Sequence, residues 1–119
     1  MKIIKTKLEG CLVIEPEVYE DKRGFFLETF QLQRYKSDVG ITLNFVQDNF
    51  SHSIYGVIRG LHFQKTPKAQ AKLVTVLKGK IFDVAVDIRK NSPTYGKWVS
   101  EILSGDTHNL LYVPEGFAH

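Results

Sequence analysis

Four polar residues fall in two stretches punctuated by glycine. His62, Gln64 and Lys72 lie in "GVIRGLHFQKTPKAQAKLVTVLKG" (56–79), and His119 closes "PEGFAH" (114–119). A divalent metal needs three or four N, O or S donors and no competing cation. Gln64 and Lys72 stand where a second histidine and a carboxylate would be required, so the spacing reads as a metal site without its metal. Lys72 then supplies part of the charge that the metal would bring. A histidine titrating near neutrality accepts protons, and a fixed ammonium beside it stabilises a developing oxyanion. The chemistry this pair suits is proton abstraction next to a carbonyl, with the enolate oxygen facing Lys72.

Other residues extend the reading. Arg23 and Arg59 suit a phosphate, arginine being the side chain for bidentate phosphate contacts. Gln47 and Asn49, with Phe26 and Glu28, suit a planar polar ring held by stacking and hydrogen bonds. The composite is a site for a keto-sugar carried on a nucleoside diphosphate.

The elements that must position these residues read as strands. Turn signals recur at 20–24, Gly40, Tyr55-Gly56, 78–80, 91–93, 104–106 and 114–116, with short Val, Ile, Phe and Leu runs between them. That is the pattern of a sandwich or barrel. "KIFDVAVDI" is the clearest strand, with Phe82, Val84, Val86 and Ile88 on one face and Ile81, Asp83, Ala85 and Asp87 on the other. One short helix is predicted from Gln31 to Val39, ended by Gly40. "LNFVQDNFS" would point Gln47 and Asn49 the same way, and "GFFLETF" would align Phe26, Glu28 and Phe30. Lys72 shares a face with Val74 and Val76. There it is either a depressed or anion-paired lysine or the polar first residue of a strand with its head in solvent; periodicity alone favours the latter. Arg59 and His62 fall on opposite faces of a regular strand, unless a bulge at Gly60 unites them.

Composition bounds the class. With 119 residues the expectation is a single domain spanning 1–119. A 43% hydrophobic and 24% charged content is that of a globular chain rather than a disordered one. Sixteen basic and thirteen acidic residues are interleaved, which argues against a nucleic-acid surface. Cys11 is the only cysteine, so neither an intrachain disulfide nor a thiolate cluster is available. Lysines at 2, 5 and 7 interrupt the N-terminal apolar run, and no stretch reaches transmembrane length. The expected location is the cytoplasm, with no membrane partner.

The spacing Gly56-x5-His62-x-Gln64 and Lys72-x6-Gly79 resembles the first motif of cupins, and "PEGFAH" resembles their second. Cupins are double-sheet jelly rolls, which agrees with the strand reading. More specifically, "RGFFLETF", "QDNFSHSIYGVIRGLHFQ", "QAKLVTVLKGKIFDVAVDIRKNSPTYGKW" and "LYVPEGFAH" together resemble the dTDP-4-dehydrorhamnose 3,5-epimerase family, in the right order from about Arg23 to His119. The resemblance implies an all-β cupin-type double-stranded β-helix with one short helix. It implies epimerisation at C3 and C5 of dTDP-4-dehydro-6-deoxy-D-glucose to dTDP-4-dehydro-L-rhamnose, with no metal and no organic cofactor. It makes His62 the general base and Lys72 the enolate stabiliser, and puts His119 in the sugar pocket. Arg23 and Arg59 then contact the diphosphate, Gln47 and Asn49 hold substrate, and Phe26 and Glu28 sit at the thymine. Asp83 stands behind these, as an inward polar residue held by backbone donors or as a support for the site. The implied partner is a second copy of the chain, a homodimer with exchanged N-terminal strands.

The resemblance also sets an expectation about extent. The family continues past the second motif through strands that carry a tyrosine acid and an aspartate paired with the catalytic histidine. Tyr112 precedes the motif and reads as a strand residue. The expectation is a fragment holding the family domain's N-terminal two thirds or so, a jelly roll incomplete at its C-terminal end, with edges and apolar faces open. Alternatives are a one-carbon epimerase or keto-isomerase of the same family, a non-catalytic sugar-nucleotide binder, and a metal-dependent oxygenase, against which Lys72 argues.

Overall fold

Short apolar runs between tight turns fold into strands that all pair antiparallel. The computed structural model describes residues 1–42 and 44–119. Strands β1 (Lys2–Lys5), β2 (Leu12–Glu15), β5 (Lys72–Thr75) and β8 (Leu110–Val113) form one sheet in the order β1-β2-β8-β5. Strands β6 (Lys80–Asp87), β7 (Trp98–Ser104) and β9 (Phe117–Ala118) form a second, in the order β7-β6-β9. Among the described residues strands β3 (Val18–Asp21) and β4 (Gly24–Leu27) pair only with each other. The architecture is all-β with one short helix, and among the described residues the sheets do not close into a barrel.

Alternation sorts the core. Val13, Leu111, Val113 and Val74 leave the four-stranded sheet on one side and meet Ala85, Leu103 and Phe117 of the second sheet, with Leu8 and Cys11. Leu12, Ile14, Leu110, Tyr112 and Leu73 leave it on the other side and meet Tyr35 and Ile41. The helix makes this second cluster. Gln31 caps its N-terminus by accepting from the Arg34 amide, α1 runs Leu32–Arg34, and a π-helical turn Tyr35–Val39 ends at left-handed Gly40. These are the bounds expected from the sequence. Both faces of β8 are buried, and truncating fully buried Leu111 to alanine would cost about 2–5 kcal/mol.

Strand β6 follows the expected alternation. Asp83, Ala85 and Asp87 are buried, while Phe82 and, on its β7 neighbours, Trp98 and Ile102 are exposed on the opposite face. Asp87 is fully buried and anchors the 87–94 turn. It accepts from the Arg89 amide (3.0 Å), Arg89 Nε (2.9 Å), Arg89 Nη2 (2.7 Å), Ser92 Oγ (2.5 Å) and Thr94 Oγ1 (2.6 Å). Arg89 also donates to the Glu9 carbonyl (3.0 Å), and its guanidinium lies 4.6 Å over the Phe117 ring. Gly116, at φ +81°, admits the arginine stem, since a Cβ there would come within 2.5 Å of Arg89 Cγ.

Two strand expectations fail. The described part of "LNFVQDNFS" (44–51) forms no strand, and its backbone pairs with no neighbouring strand; Leu43 lies outside the described residues. Strand β4 stops at Leu27, so Glu28 and Phe30 leave the face they were expected to share with Phe26. Glu28 turns to Arg34 (3.3 Å) and Phe30 to Tyr35 and Phe45.

Candidate active site

Register delivers the site. Val86 pairs with Ala118 and Asp87 with Phe117, so His119 follows beside Ala85, on the inward face of β6 and diagonal to Asp83. His119 Nε2 and Asp83 Oδ1 are 2.5 Å apart. The other ring nitrogen, Nδ1, is 3.3 Å from Lys72 Nζ, which enters from β5 of the opposite sheet. On the free side of β9, His62 and His119 exchange backbone bonds, His62 N–H donating to His119 O (2.6 Å) and His119 N–H to His62 O (2.9 Å). Gly60, at φ +100°, permits that approach, because a Cβ would stand 3.1 Å from His119 O and 3.4 Å from His62 Nδ1. His62, Phe63, Gln64, Gln70, Lys72, Val113 and Phe117 line a cleft of about 90 Å3.

The electrostatics follow from burial. Lys72 is half-buried at the end of an apolar strand face, and that burial lowers its ammonium below the ordinary lysine value, with the Asp83 carboxylate acting the other way. The reading favoured by periodicity, a head in solvent, is thereby replaced by a lysine turned inward to His119. For Asp83 the reading with backbone donors fails, while the alternative of a support for the site stays open. Asp83 is held by a histidine ring and not by backbone donors, and its Oδ2 is buried without a hydrogen-bond partner among the described residues. Tyr112 lies in β8 with its side chain in the helix-side cluster, away from the cleft that its neighbour Val113 lines, and burial raises its hydroxyl. Among the described residues no three His, Cys, Asp or Glu side chains converge as metal donors.

The remaining candidates stand apart from the cleft lining. Arg59 is exposed and donates to Ser53 Oγ (2.9 Å) and the His52 carbonyl (3.2 Å). Gln47 Nε2 donates to Asn49 Oδ1 (3.0 Å), so the two amides do lie together, at the surface and without a strand. Arg23 and Phe26 line a concavity of the β3–β4 hairpin, where Arg23 pairs with Asp21 (2.5 Å). That pairing lowers the Asp21 carboxyl and raises the guanidinium. Sequence reasoning missed Phe63, Gln70, Val113 and Phe117 as lining residues. Gln70 carried a signal, its even spacing from Lys72, whereas Phe117 reaches the cleft only through the β6–β9 register.

Antiparallel sheets that bring Lys72 and His119 together on their inner faces, with His62 and Lys72 lining one cleft, define a cupin-like fold with an ammonium at its site. The family model described as dTDP-4-dehydrorhamnose 3,5-epimerase matches residues 5–119. A curated 3,5-epimerase from Shigella flexneri is 53% identical over the whole chain, which spans 66% of that relative's length. One from Methanothermobacter thermautotrophicus is 54% identical over 99% of the chain, which spans 63% of it. The crystal structure of a dTDP-6-deoxy-D-glucose-3,5-epimerase from Legionella pneumophila, in complex with dTDP-4-keto-L-rhamnose, superposes with a TM-score of 0.95 at 55% identity, over 99% of this chain and 62% of that one. The chain belongs to the dTDP-4-dehydrorhamnose 3,5-epimerase family.

Proposed function

We propose that the protein epimerises C3 and C5 of dTDP-4-dehydro-6-deoxy-D-glucose, giving dTDP-4-dehydro-L-rhamnose, as a cofactor-independent isomerase. The observation that carries the reading is the meeting of His62 and Lys72 on one cleft, in a chain of this family. The C4 ketone acidifies the hydrogens on both neighbouring carbons. His62 takes a proton from one of them, the electron pair moves into the carbonyl, and the C4 oxygen gains charge facing the Lys72 ammonium. Reprotonation from the opposite face of the ring, by solvent or by an acid other than His62, inverts the centre. His119 lines the sugar pocket, Arg23 and Arg59 take the diphosphate, Gln47 and Asn49 hold the substrate, and Phe26 and Glu28 take the base. Asp21 and Ser53, their partners in the free chain, then exchange for phosphate oxygens.

The reading includes a homodimer. A two-stranded hairpin is marginal alone, and β3–β4 leaves Tyr19, Phe25 and Phe26 more than half exposed while pairing with no other strand among the described residues. A second copy covers that hairpin and receives Phe26 and Glu28 at its own site. Residues 1–119 act within one domain, and the reaction takes place in the cytoplasm; among the described residues no helix is long and apolar enough to cross a membrane.

The test is deuterium incorporation from heavy water into the keto-sugar, followed by NMR. His62→Ala should slow exchange at both carbons by about 10²–10⁴-fold. Lys72→Ala should slow it by about 10²–10³-fold, each with dTDP affinity retained. Exchange at C3 alone would make the protein a one-carbon epimerase, and unchanged exchange in His62→Ala would remove the base.

A further inference from the structure

The imidazole of His119 lies between a group that can only accept hydrogen bonds and a group that can only donate them. Asp83 Oδ1 faces Nε2 at 2.5 Å, and Lys72 Nζ faces Nδ1 at 3.3 Å. An ionised carboxylate has no proton to give, and an ammonium has no lone pair. One neutral tautomer satisfies both, with the proton on Nε2 directed to Asp83 and the Nδ1 lone pair directed to Lys72. The opposite tautomer sets lone pair against carboxylate and N–H against ammonium. The imidazolium keeps the bond to Asp83 but puts a second cation next to the first.

The chain is fixed at every link. Asp83 is buried on β6, the central strand of its sheet, and is only 7% exposed. His119 is held by its backbone on both sides, through β9 to β6 and through the reciprocal bonds to His62. Among the described residues the one hydrogen-bond partner of Lys72 is this ring.

We propose that Asp83 and His119 are positioning residues for Lys72, the carboxylate fixing the Nε2–H tautomer of the histidine and the freed Nδ1 lone pair holding the lysine head at the cleft. Asp83 touches no reacting atom and acts through two side chains. It makes Lys72 a preorganised donor that needs no reorientation when charge develops on a bound oxygen, which is where electrostatic stabilisation has its leverage. The inference rests on the enolate role given to Lys72 under the proposed function, but its first test does not.

That first test is the nitrogen chemical shifts of the His119 imidazole in the purified protein without ligand. The Nε2–H pattern is expected, and either the Nδ1–H or the doubly protonated pattern overturns the proposal whatever the protein's activity. The second test compares Asp83→Asn in two backgrounds by deuterium exchange into the keto-sugar. In the wild-type background it should slow exchange about 10-fold with KM unchanged, short of the about 10²–10³-fold loss of an oxyanion donor. In a Lys72→Met background it should cost nothing further. An equal cost in both backgrounds assigns Asp83 a structural role only. Parallel melting curves separate simple destabilisation, which appears in both backgrounds alike. If the wild-type protein exchanges no proton at all, the proposed function fails, while the tautomer measurement still decides the positioning.

Discussion

Asp87→Asn is the sharpest probe of what holds β9, and with it His119, in place. The carboxylate is fully buried and receives five hydrogen bonds, three of them from Arg89. Asparagine keeps the shape but turns one oxygen into a donor aimed at other donors, and it leaves the guanidinium without a counter-charge. Removing one partner of a buried pair costs about 3–5 kcal/mol. Arg89 keeps a third of its side-chain surface exposed and recovers some hydration, which places the loss near the lower end, about 3 kcal/mol. At roughly 4 °C per kcal/mol for a chain of this size, the melting temperature should fall by about 12 °C, measured by circular dichroism at neutral pH with urea titration alongside. The pH dependence has a definite sign. The Arg89 side chain, with Ser92 and Thr94, holds the Asp87 carboxyl well below the usual carboxylate range. Its contribution is therefore complete above the unfolded value of about 4 and is lost as pH falls below that toward the depressed folded value. Asp87→Asn should flatten this acid limb. A loss under about 1 kcal/mol, or an equal loss when Arg89→Met is already present, would refute the reasoning, because the cost is attributed to the unpaired guanidinium.

Burial raises the Cys11 thiol to about 11, so a thiol reagent at pH 8 should label the native protein only after urea is added; prompt labelling would contradict its packing. Gly116→Ala adds a Cβ 2.5 Å from Arg89 Cγ at a positive φ and should lose about 1–3 kcal/mol, read as a melting temperature lower by several degrees. Arg59→Ala should weaken binding of dTDP itself in calorimetry, and unchanged affinity would take Arg59 out of the phosphate site. Phe26→Ser should shift the protein toward monomer in sedimentation velocity if the hairpin docks on a second copy, whereas an unaltered sedimentation coefficient would remove Phe26 from the interface.

Local signals made much of the fold legible. The turns fall where glycine, proline and polar clusters announce them, the helix runs from its Gln31 cap to Gly40, and β6 alternates as its residues do. Lys72 was legible as a lysine on a core face, but not its fate, because its partner His119 lies 47 residues away. Asp83 meets His119 across 36 residues through a register that no local pattern encodes. Gln47 and Asn49 were read through strand alternation, yet their side chains meet without a strand. The Asp87–Arg89 node went unread because acid and base two residues apart on a strand look like an ordinary surface pair until burial is known.

The pairing of β2 with β8 has a consequence for synthesis on the ribosome. Leu12 pairs with Tyr112 and Ile14 with Leu110, so β2 waits for a strand made about 100 residues later. At about 5–20 residues per second the interval between them is roughly 5–20 s. Through that time β1 and β2 can pair with each other, but the inner edge of β2 stays unmatched and offers Val13 and Ile14 to any nascent neighbour. Glu15 closes this apolar run, and charge beside an exposed edge discourages strand addition by another chain. Glu15→Val should therefore lower soluble yield at elevated expression temperature, with little change in the melting temperature of the protein that folds, since its exposed pairing with Lys2 contributes little.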